Sequence, residues 1–314
     1  IPPNTSLRIV HGRLNLAPRA GAKIHRPIDI FFESLAQDRG NHGIGVVLSG
    51  TGSDGTIGLE FIKAEGGITF AQDDSAKHDN MPRNAVAAGC VDRVLSPAGI
   101  AQELASIAKH PYVAGQILVH PLPEPAHSDA DKIRDLLPEE IARAALHPTQ
   151  NDYQKIILLL HKHSGVDFSF YKPTTIQRRI NRRVVLNKQA SLADYATLLS
   201  TNPAEVEALY SDVLINVTNF FRDPEMFDAL QRQVLPALFK QGGDGPLRCW
   251  VLGCSSGQEA YSIAISFLEA VEETEHPRTL QIFATDLSEA QLNKARQGLY
   301  PKSLAEDMSM SPSR

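Results

Sequence analysis

Between Ile44 and Leu104 short apolar runs alternate with amphipathic stretches, and that alternation leaves few folds open. Gly43-Ile44-Gly45-Val46-Val47-Leu48 is a continuous apolar run ending in Ser49-Gly50, the mark of a buried strand. Thr56 is the expected cap of a helix with Leu59, Ile62 and Lys63 at helical spacing, stopped by Gly66-Gly67. Ile68-Thr69-Phe70-Ala71 reads as the next strand, Met81 to Ala88 as a helix with Pro82 near its start, and Val91 to Leu95 as a third strand. Ser96-Pro97 then opens a helix with a cap followed by proline at the first helical position. Strand and helix alternating in this way require a parallel sheet with right-handed crossovers.

Beyond this α/β segment the periodicity fades. Pro111, Pro121, Pro123, Pro125, Pro138 and Pro148 crowd into a stretch that also holds Asp129, Asp131, Glu139 and Glu140, so 111–149 reads as a linker with one short helix. The first domain is accordingly 1–110. Helical stripes follow: Tyr153/Ile156/Ile157/Leu160, then Ile176/Ile180/Val184, then Leu192/Tyr195/Leu198/Leu199, then Ala204 to about Leu214. They define a small all-α domain over 150–223. After Pro224 a longer helix runs to Gly242-Gly243, and strand (Leu247 to Leu252), helix (Gly257 to Ala270), strand (Leu280 to Thr285) and helix (Ser288 to Arg296) open a second α/β domain over 224–314. Two strands are fewer than an open α/β domain uses, so this domain is read as its first part. The start at Ile1 is read as a cut inside a longer chain.

Several function classes drop out. No run of about 18 apolar residues is present, so no membrane-spanning or membrane-inserted helix is expected. Three cysteines without a Cys-x-x-Cys exclude a disulfide scaffold or zinc module and fit a reducing, cytoplasmic compartment. His161 and His163 face different sides of their helix, so they make no metal pair, and no metal site is expected. A net charge of -5 over 314 residues gives no general support for nucleic-acid binding.

Gly50-Thr51-Gly52-Ser53-Asp54-Gly55 lies where a parallel strand hands over to a helix, the edge at which open sheets place their sites. By spacing alone it is a tight turn capped by aspartate, or an aspartate that orients a histidine in a hydrolase triad. A phosphate cradle would need a following Lys-Ser or Lys-Thr. Leu48 to Thr56, Ala71 to Ala76, Met81-Pro82-Arg83-Asn84-Ala85 and Gly89-Cys90-Val91-Asp92 together resemble the catalytic domain of the chemotaxis methylesterases, which hydrolyse methyl esters on receptor glutamates. The resemblance implies Asp54 as the triad aspartate. It leaves the triad serine and histidine unassigned, since in that family they lie upstream of the stretch matched. The segment by itself is therefore expected to be inactive as an esterase.

From Lys172 to Lys188 there are six basic residues and no acid, with Arg178/Arg182 and Arg179/Arg183 each one helical turn apart. Such like-charged pairs ask for an acidic partner, nucleic acid or an acidic protein helix. The most distinctive stretch follows, Asn216-Val217-Thr218-Asn219-Phe220-Phe221-Arg222-Asp223. With Trp250 to Ser262, which contains Gly253-Cys254-Ser255-Ser256-Gly257-Gln258-Glu259, and Ala284-Thr285-Asp286-Leu287-Ser288, it resembles the chemotaxis receptor methyltransferases. These move a methyl group from S-adenosylmethionine to receptor glutamates, and esterase and transferase are sometimes fused in this order. The resemblance implies that Asn216, Thr218 and Arg222 line the cofactor site and that Glu259 holds the methionine end. Gly253 belongs to a turn that lets backbone approach the cofactor, and Asp286, ending the next strand, is placed for ribose hydroxyls. It also implies that the arginine helix (Arg178, Arg179, Arg182, Arg183) meets the receptor's methylation helices, a protein partner and not nucleic acid. Two rival readings remain: Gly253-x-Ser255-x-Gly257 as the nucleophile elbow of a serine hydrolase, in which His276 and Asp286 stand in the wrong order, and a non-catalytic docking module.

Overall fold

A computed structural model of the chain describes residues 2–18, 26–113, 148–214, 218–240, 245–272 and 278–300. The linker and its short helix, expected within 111–149, lie mostly outside the described residues. Two compact units are present, Ile1–Ile215 and Asn216–Arg314.

The first unit opens with a feature that periodicity did not reveal, an antiparallel hairpin of β1 (Thr5–Val10) and β2 (Arg13–Pro18). Its two loop residues, His11 and Gly12, have φ of 50° and 74°, the left-handed pair that a two-residue hairpin loop needs. The hairpin is tied to helix α1 (Pro27–Arg39) by Ile9 N–H to Ser34 Oγ at 3.0 Å and by Gly12 N–H to the Asp38 carboxylate at 3.0 Å.

The expected parallel sheet follows. Strands β3 (Ile44–Val47), β4 (Ile68–Gln72) and β5 (Arg93–Leu95) lie in chain order, with Ile44 opposite Ile68 and Phe70 opposite Arg93. The crossovers are α2 (Thr56–Ala64) and α3 (Asn80–Ala88), and α4 (Pro97–Ala108) ends the segment. Ser96 caps α4 by accepting from Gly99 N–H, as its sequence announced. Thr56 does not cap α2; Gly55, at φ 94°, holds that position because a left-handed residue is needed there. Ala36, Val47, Leu59, Ile62, Ala85 and Cys90 form the core on one face.

The second face is closed by residues from two parts of the chain. Ile68, Phe70, Ile100 and Ile107 pack with Val185 and Leu186 from α6 (Pro173–Leu186), a helix of the all-α segment. That segment also holds α5 (Pro148–Ser164), α7 (Leu192–Thr201) and α8 (Pro203–Val213). Its own core includes Ile156, Leu160, Ile176, Ile180, Val184, Tyr195, Leu199 and Leu209, the stripes read from the sequence.

In the second unit the long helix after Pro224 is α9 (Pro224–Ala229), a π-helical turn over Leu230–Val234, and α10 (Leu235–Lys240). The single regular helix expected there is thus widened by one turn. Strands β6 (Leu247–Leu252) and β7 (Leu280–Thr285) pair in parallel, Leu247 opposite Leu280, with α11 (Gln258–Glu272) between them and α12 (Glu289–Gln297) after. Leu235, Phe239 and Phe267 pack together beside the sheet, while Trp250, Leu252 and Phe283 stand exposed.

Candidate active sites

In the first unit, three of the four separated motifs meet at the carboxyl end of β3 and β4. Gly50 N–H donates to His78 O at 2.8 Å and Met81 N–H to Gly50 O at 3.1 Å. Ser49 N–H donates to Gln72 Oε1 at 2.9 Å, and Asn84 Nδ2 to Gly52 O at 2.8 Å. A Cβ at Gly50 would lie 2.2 Å from Met81 Sδ, so a larger residue there would displace the Met81 side chain that packs over the turn. Asp92, in the fourth motif, sits elsewhere: it precedes β5 and is buried near the start of β4, where its Oδ2 accepts from Thr69 N–H at 2.9 Å.

Asp54 lies on the loop that ends at α2. Its Oδ2 accepts from Ile28 N–H at 3.1 Å and its Oδ1 from Asp29 N–H at 3.0 Å, so the carboxylate caps the first turn of α1. A negative charge at a helix N-terminus is favourably placed and firmly oriented. Asp29 beside it accepts from Gly58 N–H at 2.7 Å and Arg26 Nε at 2.9 Å. Burial pushes the Asp29 carboxyl above its ordinary range, against the pull of the Gly58 and Arg26 donors. His11, His42 and His78 are exposed, and His25 lies outside the described residues.

In the second unit the turn between β6 and α11 is built on three left-handed residues, Gly253 (φ 68°), Ser255 (φ 48°) and Gly257 (φ 96°). They have different duties. A Cβ at Gly257 would come within 2.9 Å of Ala295 and 3.0 Å of the Tyr300 hydroxyl, so this glycine lets helix and loop close. A Cβ at Gly253 would meet nothing within 4 Å: its backbone faces open space. Asp286, at the end of β7, accepts from Ser255 N–H at 2.8 Å through Oδ2 and from Ser288 N–H at 2.8 Å through Oδ1. Each oxygen keeps acceptor capacity for a further donor. The Phe220-Phe221 segment is drawn to the same turn: Phe221 N–H donates to Ser262 Oγ at 2.9 Å, and Phe220 packs edge-on against Tyr300 with ring centres 5.0 Å apart. Thr218 and the exposed Arg222 flank that segment; Glu259 is exposed in the first turn of α11; Asn216 lies outside the described residues.

Three family models match parts of the chain. The model of CheB methylesterase matches residues 1–104, that of the CheR methyltransferase all-alpha domain 151–214, and that of the CheR methyltransferase SAM binding domain 216–314. Matches to the models of both families thus lie in succession along one chain. A protein of Rhodobacter capsulatus, described as an uncharacterized 104.1 kDa protein in the hypE 3'region, is 37% identical over 98% of this chain and 32% of its own length. A chemotaxis protein methyltransferase of Listeria monocytogenes is 34% identical over 51% of this chain and 59% of its own. This chain thus spans a third of the first relative and less than two thirds of the second. The solved catalytic domain of Thermotoga maritima CheB methylesterase is 28% identical, covering 32% of this chain and 56% of that one, but a TM-score of 0.29 carries no argument.

The methyltransferase SAM-binding domain fits its cofactor on this chain's own geometry: an open glycine backbone, and beside it a strand-end carboxylate with spare acceptor capacity. The elbow reading of Ser255 keeps the strained φ, but Ser255 is buried and its Oγ has no partner among the described residues; His276 lies outside them.

The arginine helix of the all-α methyltransferase domain corrects one premise of the sequence reading. Its stripe is not unpaired, because the acids come from elsewhere in the chain. Arg182 is buried between Asp92 and Asp212 and donates through Nε to Gly67 O at 2.8 Å. Arg183 binds Glu205, with Nε to Oε1 at 2.8 Å, and Arg178 pairs with Glu65 at 3.0 Å. Arg179 donates to the Lys63 and Ala64 carbonyls at the end of α2. Sequence reading singled out these arginines but not Asp212, Glu205 or Glu65, which are scattered acids without local pattern, and it marked Asp92 only as part of a motif, not as their partner.

Proposed function

We propose that the protein modifies chemoreceptors in both directions: S-adenosylmethionine-dependent methylation of receptor glutamates by the CheR half, and hydrolysis of the resulting methyl esters by the CheB half. The observation that carries the transferase reading is the open Gly253 backbone beside the doubly held Asp286. Bound S-adenosylmethionine supplies an activated methyl group. Asp286 binds the ribose hydroxyls and at the same time fixes the turn through Ser255 N–H; Arg222, Thr218 and Asn216 line the site, and Glu259 holds the methionine end. A glutamate acceptor is already ionised near neutral pH, so transfer needs placement and no general base. In the esterase half Asp54, held by two N–H groups of α1, is the triad aspartate. The substrate is an acidic receptor helix approached by the Arg178–Arg179 end of α6, since Arg182 and Arg183 are taken up by Asp92, Asp212 and Glu205, and the protein works in the cytoplasm without entering the membrane.

Calorimetric titration of the full-length protein tests the cofactor site. Asp286→Ala removes hydrogen bonds worth about 0.5–1.5 kcal/mol each, which lowers S-adenosylmethionine affinity roughly threefold to thirtyfold. Ser255→Ala changes it far less. A serine hydrolase inverts that order and loses ester hydrolysis in Ser255→Ala.

A further inference from the structure

The four arginines of α6 are not equally satisfied, and the difference has a direction. Arg182 is anchored, its side chain 1% exposed between two carboxylates. Arg183 has the buried Glu205. Arg179 is 4% exposed yet meets two backbone carbonyls and no carboxylate among its hydrogen bonds, and its Nε is buried without a partner among the described residues. Burial, with Arg182 adding repulsion, pulls its guanidinium down to about 10. Arg178 pairs with Glu65 in solvent, where such a pair is weak. A carboxylate would serve the Arg178–Arg179 end better than what holds it now, because charge-assisted and bidentate bonds are the stronger ones.

We propose that the end of α2, with Glu65, is an intramolecular occupant of the Arg178–Arg179 face, and that a glutamate-bearing helix displaces it while Arg182 stays anchored to Asp92 and Asp212. This rests on the reading above that this end of α6 meets an acidic receptor helix. It adds that the methylesterase half guards the substrate face of the methyltransferase half, so the two halves compete for one surface.

The test locks the occupant in place. A Cβ at Gly66 lies 3.5 Å from the Arg178 Cβ, within disulfide range. In the full-length protein carrying Gly66→Cys and Arg178→Cys, binding of a glutamate-rich helical peptide reads the proposal, and methyl transfer to that peptide reads the function. Oxidation is expected to weaken peptide binding at least about tenfold and reduction to restore it, an effect of useful size on the affinity scale. Equal binding in both states overturns the proposal; since Arg178→Cys itself removes one arginine of the face, loss of binding in both states leaves the decision to the Glu65→Lys variant below, and binding that obeys the proposal without methyl transfer overturns only the function. Gly66 has φ 88°, which strains a cysteine there. Glu65→Lys provides a second variant that leaves the backbone alone. It is expected to tighten peptide binding about twofold to fivefold, the scale of an exposed pair; unchanged or weaker binding counts against competition.

Discussion

Arg182→Met is the most informative single substitution in the first unit. Methionine keeps much of the stem's packing but leaves Asp92 and Asp212, 4% and 7% exposed, without the guanidinium that both contact. Removing one partner of a buried ion pair costs about 3–5 kcal/mol, because charge is left in the interior with the longer, 3.7 Å contacts to Lys63 and Arg183 to offset it. In a unit of this size each kcal/mol is worth roughly 2–4 °C, so the melting temperature should fall by roughly 6–20 °C. The pH dependence gives a second signature. Burial alone would raise the Asp92 carboxyl; Arg182 and Lys63 outweigh it and hold the group below its ordinary range. A depressed pKa stabilises the fold above the unfolded value, about 3.9, and that contribution is lost as pH falls through the folded value. With Arg182 gone the largest lowering influence is removed, so the folded pKa rises and this contribution to stability shrinks. The deficit against wild type should therefore be largest near neutral pH and shrink as pH falls toward 4. Adding Asp92→Asn and Asp212→Asn removes the stranded charges and should restore most of the loss. Thermal scans of the three proteins between pH 4 and 7 check this. A loss under about 1 kcal/mol, or a triple variant no better than the single, would refute the buried-charge account.

Three further outcomes are expected. Asp54→Ala should cost about 0.5–2 kcal/mol of stability in a denaturant melt, apart from any catalytic role, because it uncaps Ile28 and Asp29. Cys90, whose thiol burial pushes up to about 12, should resist alkylation at neutral pH in the folded chain and react only on unfolding, while the half-exposed Cys249 reacts first; mass mapping after a timed pulse reads the order. Ser96→Ala should cost about 1 kcal/mol, since it removes the hydroxyl that caps α4, with Ser96→Asp retaining most of the stability.

What could be read from the sequence followed from local rules. The β3–α4 alternation, the α5–α8 stripes and the caps at Ser96 and Ser288 each depend on residues a few positions apart, and each stands where expected. The β1–β2 hairpin escaped notice because its loop is His11-Gly12, where a common signal is Asn-Gly or Asp-Gly, and because β2 is exposed throughout and β1 at most partly buried, which leaves little hydrophobic contrast. The π-helical turn at Leu230–Val234 has no compositional marker. At the sites, spacing marked the glycine-rich strand-to-helix turns at Gly50–Gly55 and Gly253–Gly257 and the strand-end Asp286, while the role proposed for Asp54 came from the resemblance. The carboxylates that meet the arginine helix were not: Arg182 and Asp92 are 90 residues apart and join only once α6 closes the second face of the sheet.

The central claim is that one polypeptide both adds and removes methyl groups on receptor glutamates. Incubating the full-length protein with a chemoreceptor cytoplasmic fragment and methyl-labelled S-adenosylmethionine, then removing the cofactor and collecting volatile label, tests it directly. Label is expected on receptor glutamates during the first step and labelled methanol in the second, the first lost in Asp286→Ala and the second in Asp54→Ala. Label that never reaches a glutamate, or methanol release that persists undiminished in Asp54→Ala, would contradict it.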